Sequence, residues 1–216
     1  NKSEQNTLLT RTKNKESEYK KILAEKERLR EVYEQEIFDF QNQLEYLLDP
    51  SKLPSTGPGT LQYPVKDFWI SQRFGKTVDS KKLYVSGSHS GVDFAVVRGS
   101  NIYAARGGVI TATGNTDVGK CLSYGKWILL RHDNGLSTLY GHLDTISVSA
   151  GQSVNLGQVI GLSGNTGYST GPHLHMSVIA SDAIKVQKYA NSRNCKNVTI
   201  PLANTKAYLD PLSYIE

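Results

Sequence analysis

Apolar residues near the start of the chain fall at Tyr19, Ile22, Leu29, Tyr33, Ile37, Phe40, Leu44 and Leu48, with Lys26 where the stripe lapses. Steps of three and four residues mark one face of a helix. The first 48 residues hold no Gly or Pro and are dense in Glu, Lys, Arg, Gln and Leu, all good helix formers. Ile22, Tyr33 and Leu44 are eleven apart, as are Leu29 and Phe40, so the seam is closer to an eleven-residue than a seven-residue repeat. A stripe of this kind has to be covered, either by the domain that follows or by another helix. Glu and Lys on the other faces favour pairing as a coiled coil, with a second copy, an upstream segment or a membrane-anchored regulator as partner.

Residues 50–64 hold Pro50, Pro54, Pro58 and Pro64 together with Gly57 and Gly59, which reads as a linker. The expected division is a helical segment over 1–49, a linker over 50–61 and one further domain over 62–216. From Val65 onward the pattern changes to short runs of β-formers between Gly, Asn and Asp. It predicts strands at 67–70, 92–97, 109–113, 126–131, 137–140, 153–155, 159–162 and 174–179. Asp133-Asn134-Gly135 is a hairpin turn sequence. No helical period is sustained beyond residue 65. The predicted fold is mainly β, an antiparallel sandwich or open barrel preceded by a long α-helix.

With 216 residues, 38% hydrophobic and 21% charged, the composition excludes a disordered tail and a chain of several enzymes. No apolar run reaches the roughly 18 residues that would cross a bilayer. The chain opens at Asn1 rather than Met, and a signal peptide or anchor is expected upstream. Residues 1–49 carry a net charge of −2 and residues 50–216 carry +7. A basic globular part suits a polyanion such as nucleic acid, a membrane surface or a wall polymer, although a solvated basic surface has the same composition. Cys121 and Cys195 are too few for a disulfide scaffold and lack zinc-site spacing.

All five histidines lie in the β-rich part. In His173-Leu174-His175 the spacing of two puts both imidazoles on the same face of a strand. His89-Ser90-Gly91-Val92-Asp93 joins an imidazole to a carboxylate across small residues, and Tyr140-Gly141-His142 ends a hairpin strand. Each pattern alone is more often structural than functional. Together they supply two imidazoles and a carboxylate, a frequent catalytic zinc set that leaves a fourth position for water. The residues alone do not decide which histidine of His173 and His175 is the ligand. His132, beside the turn, is expected to be an exposed strand-end residue.

Three segments resemble the signature motifs of the LytM/lysostaphin-type zinc endopeptidases, and they occur in the same order. They are His89-Ser90-Gly91-Val92-Asp93-Phe94, then Tyr140-Gly141-His142-Leu143, then Gly164-Asn165-Thr166-Gly167 continuing through Ser169-Thr170-Gly171-Pro172-His173-Leu174-His175. Ser71-Gln72-Arg73-Phe74-Gly75 and Asp210-Pro211-Leu212 match as well. The resemblance covers residues 62–180 and 209–215. It implies one Zn2+ per chain held by His89, Asp93 and His175, with His142 and His173 assisting catalysis. It also implies a peptidoglycan substrate, hydrolysed at its peptide cross-links during wall remodelling or division, and hence an extracytoplasmic location in the periplasm or at the cell surface. No nucleic-acid recognition motif is present.

Relative to that family the chain carries two long insertions, 115–125 with Cys121 and 181–209 with Cys195. In an oxidising compartment the two cysteines are expected to pair, and otherwise to remain free thiols. The insertions are expected to rim the substrate groove. The helix-plus-LytM layout also resembles the EnvC/NlpD-like non-enzymatic activators of cell-wall amidases. Those proteins typically lack some ligands, whereas all three and both helper histidines stand here.

Overall fold

A computed structural model of the protein describes residues 2–43, 49–118, 121, 123–189, 192 and 195–215. Its first element is the helix α1 (Lys2–Gln43), as the period of three and four predicts. Of the stripe, Leu44 and Leu48 lie outside the described residues. The chain then passes through Pro50–Lys52 and runs against the β domain, where Leu61 is buried and its N–H bonds to the Tyr214 carbonyl at 2.9 Å.

The domain is built from β1 (Trp69–Gln72), β2 (Val92–Ala95), β3 (Asn101–Tyr103), β4 (Gly108–Asn115), β5 (Lys126–Arg131), β6 (Leu136–Ile146), β7 (Ser153–Val154), β8 (Val159–Ser163) and β9 (His173–Ala180). These strands pair antiparallel in the order β1-β2-β9-β6-β5-β4-β7, and β8 joins β3 to β6. β5 shows why the central strands read as continuous apolar runs. Its Ile128 and Leu130 enter the main core with Phe94, Ile110, Leu174 and Met176, while Trp127 and Leu129 enter a second core with Leu139 and Ile179 on the opposite face. A strand buried on both faces has no polar alternation to show. Full burial of each such side chain stabilises the fold by about 1.5–3 kcal/mol.

The insertion 181–209 covers the second face. It contributes the hairpin β10 (Lys185–Lys188) and β11 (Thr199–Leu202), then Ala203, Ala207 and the short β12 (Tyr208–Leu209) on the edge of β9. The strands at 101–103, 185–188, 199–202 and 208–209 are additional to the predicted set. They are short, and pairing rather than alternation defines them. Cys121 and Cys195 form a disulfide that ties the two insertions together.

Over its C-terminal half α1 packs on this domain instead of on another helix, which corrects the favoured coiled-coil reading for that part of the stripe. Tyr33 is 5% exposed and lies in a third cluster with the disulfide, Tyr189, Ile200 and Leu202, flanked by Ile37 and Phe40. Polar bonds hold the same face. The Gln41 amide donates to the Tyr208 hydroxyl at 3.0 Å, and the Tyr189 hydroxyl donates to the Glu36 carbonyl at 2.6 Å. The physical reason is the insertion, which presents an apolar surface that accepts the stripe. Tyr19 and Ile22, about three to four turns before Tyr33, remain exposed.

Candidate metal centre

β2 and β9 are antiparallel neighbours, and their register sets Asp93 opposite His175 and Ala95 opposite His173. This pairing separates the two histidines that sequence spacing leaves equivalent. The His175 Nδ1 lies 2.9 Å from Asp93 Oδ1 and 3.1 Å from His89 Nε2, and His89 Nε2 lies 3.3 Å from Asp93 Oδ1. His89 enters from the loop before β2, which is clamped to Gly75 by two backbone hydrogen bonds. Gly91 is needed here: a Cβ on it would stand 2.8 Å from His175 Cε1 and 2.4 Å from the Met176 carbonyl oxygen.

The donor set fits a metal ion. Zinc ligands at about 2.0–2.1 Å in a tetrahedron stand roughly 3.3 Å apart, close to the three edges of this triangle. The His89 Nδ1 lies 3.2 Å from the Arg73 carbonyl, which can only accept, so Nδ1 carries the proton of the neutral ring. His89 Nε2 therefore turns a lone pair toward the Asp93 carboxylate, an arrangement that a cation between them would relieve. Burial works to raise the Asp93 carboxyl, but hydrogen bonding and attraction, from His175 above all, outweigh it, and the group is held well below the usual carboxylate range. Burial lowers the His175 imidazole. An ionised carboxylate and a neutral imidazole are the forms that bind metal. Among the described residues, His89, Asp93 and His175 are the one group of three or more such side chains able to hold an ion.

His142 and His173 stand beside this triangle, with ring centroids 4.6 Å apart. His142 sits at φ +59°, a conformation uncommon for a residue other than glycine, where β6 leaves its pairing with β9 at Gly141 and takes up β8 at Leu143. Its Nδ1 donates to the Thr166 carbonyl at 2.8 Å, and burial together with His173 and His175 lowers its pKa to about 3, so the ring is neutral with Nε2 free to accept. The His173 Nδ1 donates to the Gly171 carbonyl at 2.8 Å, and its Nε2 lies 3.8 Å from Asp93 Oδ2. All five residues singled out in the sequence thus share one locus. His132 does not join them, and it is buried rather than exposed: its Nδ1 bonds to the Gly107 carbonyl and its Nε2 to the Thr138 hydroxyl, each at 3.0 Å. A strand-end position does not reveal that Gly107, just before β4, and Thr138 on β6 close over it.

Sequence reasoning missed the aromatic surround. Tyr84 stacks on His89 with centroids 5.3 Å apart and planes 10° from parallel, and Tyr124 is tilted against His175. No local pattern marks either residue. A cavity of about 150 Å3 opens over His89, His142 and His175, and α1 roofs it with Tyr33, Glu34 and Ile37. The insertions contribute Tyr124, Ile200 and Leu202 to its walls. Arg30 donates to the Tyr168 hydroxyl, and Glu34 accepts from the Val85 N–H at 3.0 Å, so the helix is bonded to both sides of the mouth. Burial, opposed by the Val85 bond and Arg30, raises the Glu34 carboxyl to about 7.

Residues 87–189 match peptidase family M23. Among curated proteins, the chain is 38% identical over 122 residues to the peptidoglycan DD-endopeptidase ShyA of Vibrio cholerae, covering 55% of this chain and 26% of ShyA. It is 45% identical over 87 residues to the DD-carboxypeptidase/endopeptidase Mpg of Neisseria meningitidis, covering 40% of this chain and 19% of Mpg. The chain thus spans about a quarter or less of the length of these two relatives. Among solved structures, the catalytic domain of lysostaphin from Staphylococcus simulans superposes with a TM-score of 0.50 at 28% identity, over 68% of this chain and 90% of that domain.

Proposed function

The chain carries a peptidase family M23 domain, homologous to the LytM/lysostaphin-type peptidoglycan endopeptidases, and from that premise we propose that it is a zinc-dependent endopeptidase hydrolysing the peptide cross-links of peptidoglycan. The observation that carries this reading is the buried triangle of His89, Asp93 and His175, with two further imidazoles beside it. In this reading those three residues hold one zinc. The metal, when bound, supplies a Lewis acid that activates water and polarises the scissile carbonyl.

The protein's own groups do the rest. His142 and His173 each spend their Nδ1 proton on a backbone carbonyl, which fixes the ring and leaves Nε2 toward the site. One accepts the proton of the attacking water, and the other, once protonated, steadies the oxyanion or passes a proton to the leaving amine. The strained backbone at His142 is consistent with a residue held for such a task. The +7 charge of residues 50–216 favours an anionic wall polymer, and hydrolysis of peptidoglycan implies action outside the cytoplasmic membrane. Among the described residues no helix is long and apolar enough to cross a membrane.

The alternative, a non-enzymatic activator of wall amidases, is disfavoured by the complete ligand set and both helper histidines. Digestion of purified cross-linked wall fragments tests the choice. Product mass spectrometry should show new amino and carboxyl ends at the cross-links. Intact cross-links, with stimulation only of an added amidase, would make the protein an activator.

A further inference from the structure

β9 carries its chemistry on one face at every second residue, and after His173 and His175 the next position on that face is Ser177. Its hydroxyl lies 2.9 Å from His175 Nε2, on the side of the ring away from Asp93 and His89. Ser177 is 0% exposed and His175 is 5% exposed, so no solvent stands ready to replace this contact. We propose that Ser177 is a positioning residue for the metal centre, fixing the His175 ring with Nδ1 toward Asp93 and accepting the Nε2 proton when Nδ1 binds zinc. This rests on the metal reading given above.

The argument turns on where one proton sits. To bind a metal through Nδ1, a neutral imidazole must carry its proton on Nε2. That N–H then points into the protein interior and needs an acceptor, and the Ser177 oxygen is at hydrogen-bond distance. Without metal the preference reverses. His175 Nδ1 lies 2.9 Å from the Asp93 carboxylate, which can only accept, so Nδ1 carries the proton and Nε2 becomes an acceptor. A hydroxyl serves both states by rotation, since it donates in one and accepts in the other. The ring stays neutral throughout: the proton lost from Nδ1 on metal binding is matched by one gained at Nε2. A carboxylate at position 177 could serve only the metal-bound state and would add a buried charge. An alanine could serve neither: the ring would lose the bond that fixes its orientation, and with metal bound a buried N–H, the costlier group to leave unpaired, would have no acceptor.

The side chains around Ser177 explain why the contact is dry. The strand pair β6·β9 places Leu139 opposite Ser177, and Leu139 belongs to the core on that face with Trp127 and Ile179. The same close packing appears at Gly91, where even a Cβ would stand 2.9 Å from His175 Nε2. The ring is therefore confined on its flank by backbone and at its tip by one hydroxyl.

The test measures zinc itself. Zinc affinity, read by competition with a chromophoric chelator, should fall about 10–100-fold in Ser177→Ala, the usual loss for a partner of a metal-bound histidine. Ser177→Thr, which keeps a hydroxyl on the same Cβ, should recover most of it. In the unsubstituted, zinc-loaded protein, imidazole 15N shifts should show His175 protonated at Nε2 and metal-bound at Nδ1, a readout that does not depend on any variant folding. Equal zinc affinity in Ser177→Ala, or zinc on Nε2 of His175, overturns the inference while leaving a metal site in place. Failure of the unsubstituted protein to take up zinc overturns the metal reading, and this inference with it.

Discussion

Tyr33→Ala should release α1 from the β domain and speed hydrolysis. Tyr33 is 5% exposed, packed against the Cys121–Cys195 bridge, Tyr189, Ile200 and Leu202, and it also lines the roof of the cavity over the histidines. That cavity is about 150 Å3, below the roughly 300 Å3 at which ligand pockets begin, so the docked helix takes up room that a bound peptide would need. Truncating a buried aromatic ring typically costs about 3–5 kcal/mol. Taking about 3, because the site lies at an interface rather than deep in a core, the ratio of released to docked helix rises about 150-fold. The cost falls on docking, since the ring belongs to α1, and the triangle of His89, Asp93 and His175 lies on β2, β9 and the loop before β2. Release of cross-linked muropeptide products should therefore accelerate, up to the point at which the free helix dominates. Amide exchange over residues 30–41 should report undocking in the same sample. Rapid exchange with an unchanged or slower rate of hydrolysis would refute the idea that α1 covers a productive site.

Asp93→Ala and His175→Ala should each lose zinc by elemental analysis, and chelation of the parent protein should abolish hydrolysis; full zinc retention in both variants would sink the ligand assignment. His142→Ala and His173→Ala should keep zinc and lose about 10²–10⁴ in rate, the usual contribution of general acid–base help, so a near-parent rate in either removes that residue's role. The pH dependence of docking follows from Glu34. Its carboxyl stands near 7 when docked and near the ordinary 4.5 when free, so docking binds the proton. Docking is then strongest below about pH 4.5 and weakens as pH rises through about 7. Limited proteolysis of α1 across that range should follow this curve, and Glu34→Gln should flatten it; a slope unchanged by the substitution would assign the effect to another group.

The amino-acid sequence by itself determined the long helix and the central strands, and it marked out the three segments whose side chains meet at the candidate site. Period-three-and-four spacing made residues 2–43 a helix, and the runs at Lys126–Arg131 and Leu174–Ile179 made central strands. Both patterns are local consequences of backbone geometry and burial. The spacing of two in His173-Leu174-His175 fixed a common face, and the small residues of His89-Ser90-Gly91-Val92-Asp93 gave the chain room to turn. Only the tertiary structure decided which histidine faces Asp93, because that depends on the register between β2 and β9, strands about 80 residues apart. The same holds for His132, buried with its Nδ1 on the carbonyl of Gly107, a residue distant in sequence, and for Ser177, whose role exists only through His175. It holds most of all for α1. An apolar stripe states that a face must be covered, whereas the cover is chosen by whichever surface meets it. Here that surface is built by two insertions joined by a disulfide, contacts distant in sequence that no periodicity can encode.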